Sequence, residues 1–142
     1  MNTAQVLKEE SRVKTPLDIG DKGAILLMLY NAAIELLEEA KSAIERGDLV
    51  EKGRHLSQTH AIVSELLASL DFDIDGDLAE KLKDLYVFML EQLTRANMNN
   101  DANSLNVVIS LLRTLYGGWE GAVASERARL SQGRERRSLA GV

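Results

Sequence analysis

The chain has no cysteine, a single proline and few aromatic residues, and the acids outnumber the bases. Without cysteine there are no disulfides and no thiolate metal sites, which fits a reducing compartment. Pro16 is the only proline, so everything after it is free to form long helices. The longest uninterrupted apolar run, Ala24–Tyr30, falls far short of the ~20 residues that span a bilayer. The opening MNTAQVLKEESRVK lacks the basic-then-apolar order of a signal peptide. A soluble, cytoplasmic protein with no membrane insertion is expected. The net charge of −5 argues against nucleic acid as a partner, because phosphate affinity comes mainly from clustered Lys and Arg.

The 142 residues suffice for one domain with its own core. Charge is unevenly placed: Glu126–Val142 holds five arginines against two glutamates, leaving the preceding residues at −8. That tail reads as a solvated, frayed terminus, with a weak electrostatic docking arm as the alternative. Four segments show helical periodicity. The first spans about 21–46 and stops at Gly47, which suits the left-handed position after a helix. Asp48 can cap the second, about 49–70, with Leu56, Thr59, Val63, Leu66, Leu67 and Leu70 inward. The third begins after Asp77 and carries Leu78, Leu82, Leu85, Tyr86, Met89, Leu93 and Ala96 at spacings of three and four. NMNNDANS breaks it, and the fourth runs from about Asp101 to Arg129 with Leu105, Val108, Leu112, Leu115 and Trp119 on its stripe.

No stretch alternates long enough for a strand. Long helices with short connections predict an all-α fold, an antiparallel up-and-down four-helix bundle. The expected division is an irregular N-terminal arm at 1–20, the bundle at 21–130 and a flexible Arg-rich tail at 131–142. Val6, Leu7, Val13, Leu17 and Ile19 could fold the arm back onto an apolar surface.

The first helix carries more apolar width than a surface helix needs. At about 100° per residue, Ile25, Leu29, Ala32, Ala33, Leu36, Leu37 and Ala40 share one face. Leu27, Tyr30 and Ile34 lie off it. The fourth helix repeats the excess, with Val107, Leu111, Ile109 and Tyr116 widening its stripe to roughly 200°. Surplus apolar surface of this kind marks a partner surface, or is covered by the N-terminal arm or a dimer.

Nothing here reads as an enzyme, and no metal or cofactor is expected. Asp71, Asp73, Asp75 and Gly76 match the opening of an EF-hand loop, but its twelfth position is Leu82 where the cage needs an acid. The plainer reading is a helix connection with Asp77 as N-cap. His55 and His60 are five apart, the wrong spacing for a helical zinc pair. His60 is expected near the helix interface and His55 on the surface. Gly117-Gly118 reads as a kink or end of the fourth helix, with close approach of another backbone as the alternative.

Taken together, LMLYNAAIELLEEA (27–40), ERGD (45–48), SELLASLD (64–71), LAEKLKDLY (78–86), RAN (95–97) and the final Leu115-x-x-x-Trp119 resemble the flagellin-specific export chaperones of bacteria, the FliS family. The resemblance covers about 18–124. It implies a cytoplasmic chaperone that holds the disordered C-terminal segment of flagellin and delivers it to the flagellar type III export gate. Flagellar regulators are further partners, and the chaperone is a monomer or weak dimer. Carried over by position, Tyr30 and Asn31 follow the family's leucine-tyrosine motif, Tyr86 its second tyrosine, Asn97 its alanine-asparagine turn and Trp119 its terminal tryptophan. No tyrosine precedes Tyr30, although the family commonly has one in the arm. The expected flagellin groove comprises Leu27, Tyr30, Asn31, Ile34, Asn97, Ile109, Leu112, Tyr116 and Trp119.

Overall fold

Helix boundaries follow from local chemistry in a computed structural model that describes residues 19–140, with side chains from Lys22 to Arg137. The expectation for an N-terminal arm falls on residues outside those described. Helix α1 spans Ile19–Glu45, α2 Leu49–Ala68, α3 Gly76–Asn99 and α4 Ala102–Ala140. At the end of α1, Gly47 takes φ 77°. The Gly47 and Asp48 amides donate back to the Ile44 and Ala43 carbonyls at 3.1 and 2.8 Å, which satisfies carbonyls the helix leaves open. The Asp48 carboxylate then accepts from the Glu51 amide at 3.1 Å and starts α2.

The α2–α3 connection corrects the sequence reading. Asp75, not Asp77, caps α3, its carboxylate accepting from the Leu78 amide at 3.1 Å. Asp71 accepts from the Asp73 amide at 3.0 Å, so two of the EF-hand-like acids shape the turn. At the other end Asn100 adopts φ 53° and closes α3, and Asp101 accepts from the Asn103 amide and the Ser104 hydroxyl.

Helix α1 packs on α2 and α4, and α3 completes the ring between them, giving the antiparallel four-helix bundle that the periodicity predicts. Its core runs through Tyr30, Leu37, Leu56, Val63, Leu66, Tyr86, Met89, Leu93, Leu105, Val108 and Leu112. Helix α4 continues past Arg129 to Ala140, with Glu126 and Arg129 paired one turn apart. Gly117 and Gly118 lie inside it, and among the described residues a Cβ added at either meets nothing within 4 Å. They do not end the helix, and no other described backbone approaches them. The close approach is elsewhere: a Cβ on Gly23 would collide with Cγ2 of Val123, so α1 and α4 meet at a seam only glycine allows.

Candidate functional site

The three aromatic residues that stand out in the sequence converge on one point. The Tyr30 and Tyr86 hydroxyls hydrogen-bond each other, and the Trp119 indole N–H donates to the Tyr30 hydroxyl at 3.1 Å. This ties α1, α3 and α4 together in the interior. Burial pushes the Tyr86 phenol far above its ordinary value, reinforced by the neighbouring Tyr30. Burial raises Tyr30 as well, opposed by its bonds to Tyr86 and Trp119. Both phenols therefore stay neutral at any ordinary pH, as a buried hydrogen-bonded pair requires.

Tyr30 is thus a correction. The sequence places it off the core face, yet it is fully buried. The true inward direction of α1 passes through Tyr30, Ala33, Leu37 and Ala40. Residues Leu29, Ala32 and Leu36 form the flank toward α2, while Leu27, Asn31 and Ile34 form the flank toward α4 at about 100° per residue. Two facts fix that second flank: Glu38 pairs with Arg113 at 3.2 Å, and Asn31 donates to the Tyr116 hydroxyl at 3.5 Å. The excess width of α1 is mostly consumed by packing on two neighbours. Ile109 and Leu112 are also buried, contrary to their expected place in an open groove. Leu27, Ile34, Tyr116 and Trp119 are half-buried, and Asn31 and Asn97 are exposed.

The histidines are reversed as well. His55 is buried between helices, with Nδ1 3.3 Å from the Glu39 carboxylate and Nε2 3.3 Å from that of Glu51. The Nδ1 approach is close enough for an ion pair but lacks hydrogen-bond direction. His60 is exposed. The reason is register: Lys52, His55, Leu56 and Thr59 form the inward first half of α2, a stripe whose polar members hide it from a hydrophobicity count. Lys52 is buried because its ammonium donates to the Asn97 carbonyl at 2.9 Å and to the Asn100 side chain, neutralising the negative end of α3.

What stays open is a set of shallow grooves between successive helices. One, of about 300 Å³, lies between α1 and α2 and is lined by Ala32, Glu35, Leu36, Glu39, Gln58 and Ile62. Another, of about 240 Å³, lies between α2 and α3, with Leu56, His60, Leu93, Asn97 and Met98 on its walls. At about 100° per residue, Leu85 and Phe88 share the flank of α3 turned to α4, and Val107, Leu111 and Leu115 the flank of α4 turned to α3. Phe88 and Val107 remain 39% and 42% exposed, so this flank keeps apolar side chains in solvent. Sequence reasoning missed Phe88. The signal was there in Tyr86–Leu90, five apolar residues in succession, which no helix can bury on one side.

Among the described residues no cluster of His, Asp and Glu is arranged to hold a metal ion, and no helix is long and apolar enough to cross a membrane. Fold and surface together define a class: an antiparallel helical bundle with a hydrogen-bonded aromatic centre and apolar grooves between its helices. Residues 4–126 match the model of the family described as flagellar protein FliS, and the chain belongs to that family. It is 34% identical over 108 residues to the flagellar secretion chaperone FliS of Vibrio cholerae, covering 76% of this chain and 79% of the relative. It is 30% identical over 123 residues to the flagellar secretion chaperone FliSB of Pseudomonas aeruginosa, covering 85% and 98%. With the flagellar secretion chaperone FliS of Salmonella typhimurium it shares 35% over 97 residues, covering 68% and 72%.

Proposed function

We propose that this protein is a non-enzymatic flagellar secretion chaperone of the cytoplasm. It holds the disordered C-terminal segment of flagellin, prevents premature polymerisation and delivers it to the flagellar type III export apparatus. The observation that supports this reading is the apolar surface left between helices whose core is already complete, above all Phe88 and Val107. A disordered segment that folds on binding wraps a large surface, seating short amphipathic helices in grooves of this kind. The contact residues are the open members of the set: Leu27, Asn31, Ile34, Tyr116 and Trp119 along α1 and α4, Asn97 at the α2–α3 groove, and Phe88, Val107, Leu111 and Leu115 along α3 and α4. Tyr30, Ile109 and Leu112 hold the grooves in shape from beneath.

The test is a calorimetric titration of a flagellin C-terminal peptide into the protein and into Phe88→Asp and Val107→Asp. Both positions are exposed, so the variants keep their fold, checked by circular dichroism. Affinity drops about tenfold or more, equivalent to about 1.4 kcal/mol. An absence of binding to the unmodified chain overturns the function, and unchanged affinity in both variants removes the α3–α4 flank from the site.

A further inference from the structure

Helix α4 changes character at Tyr116. Before it, Ser104, Leu105, Val108, Ile109 and Leu112 are buried in the bundle; after it, Val123 is the one buried residue among the described side chains. Of the ten glycines in the chain, those at 117, 118, 121 and 133 lie in that second stretch. A glycine required by packing looks like Gly23, where a Cβ would collide with Val123. Gly117, Gly118 and Gly121 are the opposite case: among the described residues a Cβ on any of them meets nothing within 4 Å. Their effect falls on the helix itself. Each glycine weakens it about fivefold relative to alanine, so the three together weaken it about a hundredfold.

Across this soft stretch α4 meets α1 through Trp119, whose indole donates to the Tyr30 hydroxyl at 3.1 Å, and through Val123, which rests on Gly23. Farther on, the Glu126–Arg129 pair and the Arg137 bond to the Gly133 carbonyl run along α4 itself. Nearer the middle of the bundle, Asn31 faces Tyr116 and Glu38 faces Arg113. The two helices therefore run antiparallel in one register, which places Leu27 between Val123 and Trp119. Gly23, Leu27, Tyr30 and Ile34 recur at intervals of three and four and form one line on α1. The distal part of α4 lies over the first three.

We infer that this line is a concealed binding surface and that residues 117–140 of α4 are the lid over it. The lid opens as a unit at its glycines while the rest of the bundle stays folded, and an amphipathic helix of the guest takes its seat. The seat fits a helix because a helix already fills it. Gly23 admits a close backbone with an aliphatic residue above it, as Val123 is now, and the Tyr30 hydroxyl accepts a hydrogen bond beside it. With the C-terminal segment of flagellin as that guest, on the function proposed above, the lid regulates entry: apparent affinity falls with the fraction of chains that are open.

Amide hydrogen exchange of the full, guest-free chain tests the lid, beside a triple variant carrying Gly117→Ala, Gly118→Ala and Gly121→Ala. All three sites are exposed, so the variant folds. In the unmodified chain residues 122–130 exchange at least about tenfold faster than 105–116. The alanines slow 122–130 about a hundredfold, because those residues open only together with the joint. Equal protection of the two stretches in the unmodified chain overturns the lid. So does a variant in which 122–130 keeps its rate, the behaviour of an end that frays residue by residue. A variant that melts lower overturns it too, by giving the glycines a packing role. Calorimetry with a flagellin C-terminal peptide then reads the surface beneath: the triple variant binds at least about tenfold more weakly. Equal affinity in the two chains overturns the concealed surface. A peptide that binds neither chain overturns flagellin as the guest, while the exchange rates still decide the lid.

Discussion

Around Tyr30 the apolar breadth of α1 is closed in from three sides, while around Val107 that of α4 stops at a rim open to solvent. The two helices look alike as sequences, each with hydrophobic side chains over far more than one face. Their neighbours make the difference. α1 is flanked along its length by α2 and α4, and α4 comes so close that Gly23 has room for no side chain. On its other flank α4 has only α3, and Phe88 and Val107 remain exposed along that edge. Apolar width therefore has two fates, internal packing or a surface for something else, and helix proximity decides which.

The largest effect expected from breaking this contrast lies at the closed centre. Tyr30→Ala removes a buried ring and leaves the Trp119 indole and Tyr86 hydroxyl without their partner, so it costs about 3–5 kcal/mol in urea unfolding. At the seam, Gly23→Ala overpacks Val123 and costs about 1–3 kcal/mol, more than the helix gains from losing a glycine. Adding Val123→Ala recovers much of that loss, and a double-mutant cycle measures how much. A pH titration sharpens the same comparison. In the unfolded chain the phenols ionise near 10, whereas folding raises Tyr86 and Tyr30 above that value. Their contribution is therefore complete below pH ~10 and lost as pH rises toward the folded values, so thermal midpoints hold steady to pH ~9 and fall beyond ~10. At the open edge, Val107→Ala changes stability by no more than about 0.5 kcal/mol. A loss as large as that at Gly23 would mean the edge is core after all.

Much of the architecture was legible before any coordinates. Spacings of three and four located the four described helices, and Gly47 and Asp48 announced the first junction because their chemistry is local. The angular assignment within α1 was less accessible. Ile25, Leu29, Ala32 and Leu36 form a convincing stripe that turns out to be its α2 flank, and only the positions of α2 and α4 reveal Tyr30 as the centre. His55 and Lys52 escaped for a related reason: a polar residue is read as exposed until its partners, here Glu39, Glu51 and the α3 terminus, are known. The α4 extension escaped because arginine-rich, glycine-containing sequence lacks an apolar stripe, although its i, i+3 pair at Glu126 and Arg129 supports the helix locally. Of the expected groove, the polar and half-buried members stayed at the surface, while Tyr30, Ile109 and Leu112 went inside because their helices lie closer than an isolated wheel can show.

The Trp119–Tyr30 bond has an optical consequence. The chain has one tryptophan, half-buried with its N–H fixed to a phenol at the meeting point of three helices. Its emission is an intrinsic gauge of how α4 is seated. Loosening of the helix bares the indole and reddens the spectrum, while a ligand resting along the Phe88–Val107 edge leaves the colour nearly unchanged. A guest that covers Trp119 itself, one of the proposed contacts, shifts the emission to the blue, so the direction of the change separates a guest that lies on the bundle from one that pries it open, with no label added.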